Sequence, residues 1–399
     1  MRVLLCHNFY RSSAPSGEDA VFRNERALLE SNGVEVIPFE RFNDDIDDST
    51  LLNRLDVAAS TIWSRKTYKA IEATIRKTRP DIAHFHNTFP QISPSAYAAC
   101  SRSRVPVIQT LHNYRLICPG ALLLREGKPC EDCLGHSLLP ALRHRCYRNS
   151  LTATGALVGM LSLNRARGTY LSSVSRYIAL TQFSATRYEL GGLPANRIVV
   201  KPNFLPSPPP FGRGQGGYVV YVGRLSEEKG LKTLLKAWHH VNNLPLKILG
   251  DGPLKSELIE NATQNNLNIE FMGSLPRNEV LDIISHADLQ VIPSEWYEGF
   301  PMVALEGYAC GTPILASRIG SLTEIIIDGE TGTTFEPGND LDLAQNVIAL
   351  LKDRDTLATM RNTTRKHFDS NFTAKQNFEM LMNIYDTNIN GLKNNTTIE

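Results

Sequence analysis

The chain has 399 residues, of which 42% are hydrophobic and 21% charged, and a formal net charge of +1. This is longer than single cores usually grow, so two domains are expected, and the composition is that of a globular protein rather than a disordered or collagenous one. No stretch reaches the ~18 apolar residues of a transmembrane helix, and the opening MRVLLCHNFY reads as a short strand rather than an export signal, so a cytoplasmic protein is expected.

The small net charge hides two unlike halves. Residues 1–203 carry 26 Lys and Arg against 17 Asp and Glu, and the remainder 16 against 24. A basic N-terminal half points to an anionic or membrane-associated partner on that side. In chain order, MRVLLCH, VEVIPF, DIAHFH and PVIQTLH predict buried strands in the first half, and a helical pattern covers 17–33. YVVYVGRL, LKILGDG, IEFMGSL, LQVIPS and PILAS predict strands in the second half, with a helix over 231–241. The stretch 205–217, LPSPPPFGRGQGG, has four Pro and four Gly and reads as a linker.

Strand–helix alternation predicts an α/β protein of two Rossmann-like parallel-sheet domains, over 1–204 and 218–372. Ligands of such sheets bind outside the carboxyl ends of the strands, so two domains facing each other would place the chemistry in a cleft. A last helix over 373–388 is expected to pack back on the N-terminal domain, followed by a polar, disordered tail over 389–399.

The most informative segment is IPSEWYEGFPMVALEGYACGTPILAS, residues 292–317. A strand ends near Pro293, a loop carries Glu298 and Gly299, and Pro301 suits the first turn of a new helix. The N–H groups at that start form an anion site, which Gly299 lets a phosphate approach closely. Glu306, in the second turn, is placed to accept from a ribose diol, and Glu298 from a sugar hydroxyl. An isolated pair of this spacing is common by chance, but YVGRLSEEKG puts Arg224 and Lys229 after another strand. Two cations there suit a diphosphate, each charge-assisted bond contributing roughly 1.5–3 kcal/mol. GDGP (250–253) adds a glycine loop, FMGSLPRNEV (271–280) backbone groups for the edge of a base, and GSLTEIIIDGETG (320–332) closes the series with Glu324.

Together GRLSEEKG, GDGP, EGFPMVALE, ACGTP and DGETG resemble glycosyltransferase family 4, retaining enzymes of the GT-B fold. The resemblance implies that Arg224 and Lys229 bind a donor diphosphate, that Glu298 contacts the donor sugar and that Glu306 holds the ribose. Gly223, Gly250, Gly252, Gly299, Phe300, Pro301 and Met302 complete the expected donor-binding set, with Gly17 from the first half. Gly307 and Tyr308 stand where the family often has Ala-Met, which points to altered helix packing with the chemistry left alone.

The first half matches less closely. SGEDAVFRNE (16–25) has only Gly17 where the family carries a Gly-Gly loop; the alternative is a plain loop glycine. His84 and His86 share one strand face, as core or rim histidines. TLHNYRLICP (110–119) resembles the family's loop whose histidine lies close to the donor sugar, which makes His112 the catalytic candidate beside Glu298, Arg224 and Lys229; the alternative is a His capping the next turn. No residue is a compelling covalent nucleophile, and no Asp-x-Asp stands at a strand end, so no catalytic metal is expected.

Cys118, Cys130, Cys133 and Cys146 fall within 29 residues, and the central C-x2-C has the thiolate spacing of a structural zinc site, with His136 and His144 as substitutes. The alternative is four unrelated thiols. From Cys133 to Tyr188 there is no acidic residue but seven Arg, namely Arg143, Arg145, Arg148, Arg165, Arg167, Arg176 and Arg187. They flank LTATGALVGMLSL (151–163), a helix suited either to an anionic membrane carrying a lipid-linked acceptor or to the core. The expectation is transfer of a sugar from a nucleoside-diphosphate sugar to a glycan or lipid-linked acceptor in cell-surface polysaccharide assembly. A sugar-nucleotide epimerase and a non-catalytic homologue are the rivals, and nucleic-acid binding ranks last because no motif for it is present.

Overall fold

The computed structural model describes residues 1–395 apart from 14, 15, 48 and 242. The chain divides into two compact units. The N-terminal unit comprises Met1–Leu123, Glu131–Pro202 and the chain from Lys375 onward; the C-terminal unit comprises Leu124–Cys130 and Asn203–Ala374.

The N-terminal unit contains β1 (Arg2–Phe9), β2 (Glu35–Phe42), β3 (Ile82–Phe85) and β4 (Val107–Leu111). A hairpin of β5 (Leu124–Arg125) and β6 (Lys128–Pro129), which groups with the other unit, precedes β7 (Arg176–Ala179) and β8 (Ile198–Val200). The sheet order is β2-β1-β3-β4-β7-β8, and every pairing is parallel. β3 and β4 are buried at every residue, as strands covered by helices on both faces must be, and their polar members His84, Gln109 and Thr110 are hydrogen-bonded inside the core.

The C-terminal unit repeats the plan with β9 (Val219–Val222), β10 (Leu246–Leu249), β11 (Ile269–Gly273), β12 (Leu289–Ile292), β13 (Ile314–Ser317) and β14 (Gly332–Phe335). Its order is β11-β10-β9-β12-β13-β14, again parallel throughout. β9, where the strand order turns back, is therefore central, and its loop lies at the topological switch point where α/β sheets bind ligands.

Two expectations change, and one open alternative gains detail. Residues 205–217 are not a separate linker but lie on the C-terminal unit, with Gly212 N–H donating to Cys310 O (2.9 Å), Gly214 to Ser285 O (3.2 Å) and Gly216 to His286 O (2.8 Å). The last helix is Ala374–Asn395, so 389–395 are helical rather than an irregular tail, and 396–399 lie outside the described residues. The helix Leu151–Ala166, open between membrane and core, buries Thr154, Leu157, Met160, Leu161 and Asn164 on one face and leaves Leu151 and Leu163 exposed. The most exposed leucines sit instead on the helix Leu51–Ile62, with Leu51 73%, Leu52 77% and Leu55 58% exposed.

Candidate active site

In the C-terminal unit β9 and β12 are sheet neighbours, so the loops leaving their carboxyl ends lie side by side. The β9 loop runs through Gly223 and the exposed Arg224 to one 3-10 turn, Glu227–Lys229. The β12 loop carries Glu298 and ends at Pro301, which caps the helix Met302–Cys310. Lys229 Nζ stands 2.7 Å from Glu298 Oε1, and Ser294 Oγ donates to the same oxygen at 2.6 Å. Ser321 Oγ donates to the Glu298 carbonyl, and the Lys229 ammonium is 5.4 Å from the centre of the Trp296 ring. Glu298 is thus buried, with its carboxylate held by Lys229 and Ser294 and its carbonyl by Ser321.

Two glycines allow the loops to approach this closely. Gly230 has φ +69°, and a Cβ there would fall 1.8 Å from the Pro293 carbonyl oxygen of the β12 loop. Gly250, at φ +133°, would place one 1.9 Å from the Gly223 carbonyl oxygen. The GDGP turn therefore presses on the Arg224 loop, joined to it by Leu225 N–H donating to Asp251 O at 2.9 Å; Gly252 faces the Leu225 carbonyl. Phe300 O accepts from Asn203 Nδ2 at 3.3 Å, while Gly299 and Met302 flank the helix start.

Glu306 lies in the second turn of that helix, where burial pushes its carboxyl above the usual range and Arg277, 3.7 Å away, opposes the shift. Gly307 and Tyr308 are tightly packed: a Cβ at 307 would meet Gln290 Oε1 at 2.3 Å, and Tyr308 Oη donates to Ile325 O at 2.6 Å. Glu324 sits on a short turn, Leu322–Ile325.

In the N-terminal unit His112 follows β4 directly. Its Nε2 is 2.9 Å from His86 Nδ1, with the rings stacked at 5.1 Å, and His86 Nε2 is 3.0 Å from Glu25 Oε1. Burial, then the neighbouring His86 and His7, push the His112 imidazole well below its ordinary value. Burial alone would raise Glu25, but the Lys201 ammonium, 3.2 Å from Oε2, with His84 and His86, holds it well below the carboxylate range. Both strand histidines are core residues: His84 contacts Tyr385 Oη (2.7 Å) and Thr110 Oγ1 (2.8 Å). Gly17 opens the helix Gly17–Ser31, capped by Ser16, and a Cβ there would meet nothing within 4 Å. Gly17 is exposed, and no protein contact requires a glycine there.

The profile of glycosyl transferases group 1 matches residues 211–367, and that of the glycosyl transferase 4-like domain residues 4–203. The chain belongs to glycosyltransferase family 4. An uncharacterised glycosyltransferase of Methanocaldococcus jannaschii is 30% identical over 192 residues, 48% of this chain and 54% of that protein. D-inositol 3-phosphate glycosyltransferase of Nocardia farcinica is 28% identical over 279 residues, 65% of this chain and 56% of that one. The chain thus spans about half the length of the curated relatives it matches. Among solved structures, sucrose-phosphate synthase of Thermosynechococcus elongatus superposes with a TM-score of 0.71 at 17% identity, covering 97% of this chain and 99% of that one. Anabaena HepE in complex with UDP and glucose superposes at 0.66 and 18%, covering 97% and 100%. Both share the GT-B fold.

Several residues of this family 4 member's site carry no sequence signal. Ser294, Trp296 and Ser321 surround Glu298, and Arg277 faces Glu306, yet each is an ordinary residue in its local stretch. Glu25 and Lys201 are 176 positions apart, and only the fold joins them. Among the described residues, Glu25, His84 and His86 bring three ligating atoms within 4.8 Å of one another; Lys201 already supplies the cation there. Cys118 and Cys146 flank Gly120, whose Cβ would be 3.7 Å from Cys118 Sγ and 3.6 Å from Cys146 Cβ. Cys133 is buried in the same unit, whereas Cys130 belongs to the segment that groups with the C-terminal unit.

Proposed function

We propose that the protein is a retaining glycosyltransferase that moves a sugar from a nucleoside-diphosphate sugar to a glycan or lipid-linked acceptor in cell-surface polysaccharide assembly. The observation that carries this is the Lys229–Glu298 pair at 2.7 Å, set beside Arg224 and the helix that bears Glu306. These groups offer cations and helix N–H groups for a diphosphate, and two carboxylates for sugar and ribose hydroxyls. Structures of HepE with UDP-glucose support a nucleotide-sugar donor by analogy.

In the transfer the bond from the anomeric carbon to the diphosphate oxygen breaks as the acceptor oxygen bonds the same carbon. Arg224, Lys229 and the helix amides neutralise the departing diphosphate, which takes the acceptor hydroxyl's proton. The rate then rests on positioning and charge stabilisation rather than a covalent nucleophile.

The test is slow hydrolysis of a panel of UDP-, GDP- and ADP-sugars by wild type and Glu306→Ala. Nucleotide release from one donor, lost in the variant, supports a transferase. An isomerised sugar nucleotide points instead to an epimerase, and no turnover to a binding homologue.

Peripheral contact with an anionic membrane belongs to the same reading. It is supported by the exposed Leu51, Leu52 and Leu55 and by the exposed Arg143, Arg145, Arg148 and Arg167, all in the basic N-terminal unit. Among the described residues no helix is long and apolar enough to cross a membrane. Sedimentation with anionic but not neutral liposomes is expected, weakening with salt; no sedimentation at any salt removes the idea. We also propose a structural zinc at the cysteine cluster, supported by the C-x2-C spacing and by Cys118 and Cys146 both lying beside Gly120, although among the described residues these thiols do not stand gathered as three ligands. Metal analysis should find about one zinc per chain, and far less would sink it.

A further inference from the structure

The row Glu25–His86–His112, buried at Glu25 and His86 and half-buried at His112, fixes hydrogens as well as positions. A carboxylate only accepts hydrogen bonds, so at 3.0 Å from Glu25 Oε1 the Nε2 of His86 must carry a hydrogen. Burial lowers the His86 pKa to about 4, so the ring is neutral near pH 7 and its Nδ1 keeps a lone pair. The 2.9 Å contact between that Nδ1 and His112 Nε2 is then a hydrogen bond only if His112 donates. The opposite tautomer would set two lone pairs against each other.

The remaining groups agree with this direction. Lys201 Nζ, 3.2 Å from Glu25 Oε2, keeps the carboxylate charged and is itself held by Asn377 Oδ1 at 3.0 Å. His84 Nδ1 stands 3.0 Å from Glu25 Oε1 and 2.7 Å from Tyr385 Oη, and its Nε2 is 2.8 Å from Thr110 Oγ1, so both its nitrogens are engaged away from His112. On the other side of His86, His7 Nε2 is engaged by Asp19 at 2.8 Å.

We propose that Glu25 and His86 are positioning residues that lock His112 as its Nε2–H tautomer, leaving Nδ1 as the acceptor for a hydroxyl of the donor sugar. The inference rests on the reading above that His112 serves that sugar. It adds that the polarity of this contact is set two residues away, by a carboxylate and a lysine in the core of the N-terminal unit. The arrangement has the logic of a triad, in which a buried carboxylate selects the tautomer of the histidine that meets the substrate.

The test is the imidazole 15N spectrum of the full-length, histidine-labelled protein near neutral pH, with His112 assigned by its loss in His112→Gln. A protonated Nε2 and an unprotonated Nδ1 on His112 are expected. His86→Phe fills the ring's place without its nitrogens and should give a mixture of tautomers, with kcat down roughly 10- to 100-fold and donor KM little changed. His86→Gln can accept from His112 and donate to Glu25, and should recover both tautomer and kcat. A wild-type His112 protonated on Nδ1 overturns the proposal, and so does a tautomer unmoved in His86→Phe. The wild-type spectrum decides even if that variant does not fold. The expected tautomer in a protein that turns over no sugar nucleotide would uphold the lock and sink the catalytic reading.

Discussion

Titration of the buried histidines ties the stability of the N-terminal unit to pH. His86 falls from an ordinary 6.5 to about 4 in the fold, mainly through burial. Between those values the unfolded chain binds a proton that the folded one refuses, so stability drops as pH falls from 6.5 toward 4. His112 is lowered by burial too and acts in the same direction. Glu25, held below its ordinary value by Lys201, keeps its contribution until lower pH still, and Glu18, raised by burial, works the other way. The balance is expected to be a Tm that falls between pH 6.5 and 4, by a few kcal/mol of stability at most. Differential scanning calorimetry should show a shallower fall in His86→Phe, and an equal slope would mean that His86 is not the group responsible.

Elements place the donor groups, and glycines decide how closely their loops meet. Gly230→Ala would have to move a Cβ off the Pro293 oxygen, 1.8 Å away, at a φ that only glycine adopts readily. A cost of about 1–3 kcal/mol or more is expected from the backbone strain alone, with loss of donor turnover as the two loops part. Gly17→Ala should melt with wild type, because its Cβ meets nothing. Any activity lost there would report on a ligand, whereas a lowered Tm would show a structural glycine. The motifs around these positions were legible because each couples a strand end to a turn. β7 and β8 were not, since RYIA and IVV are too short to show a period.

At the scale of the molecule, the chain's last helix completes the N-terminal unit. Leu381 and Tyr385 are fully buried with Val3, Leu5, Phe22 and Ile82, and Asn377 holds Lys201. Tyr385→Ala removes a large core side chain and the partner of His84, so a loss of about 3–5 kcal/mol is expected. Urea unfolding monitored over the whole chain would check this, and a wild-type midpoint would mean that the helix is dispensable to that core. The basic character of this unit likewise extends over its surface, where Arg143, Arg145, Arg148 and Arg167 are exposed.

The sequence by itself determined the two Rossmann-like sheets, the family and the donor motifs, because each is written in short-range patterns of apolar period, glycine turns and charges at strand ends. It also brought His112 to notice through the loop around it. Only the tertiary structure decided that the proline-rich stretch lies on the C-terminal unit, that the Leu151–Ala166 helix buries one face, and that Glu25, His86 and Lys201 stand behind His112. Such contacts join residues far apart in the chain, and nothing in local composition fixes which buried charges will meet.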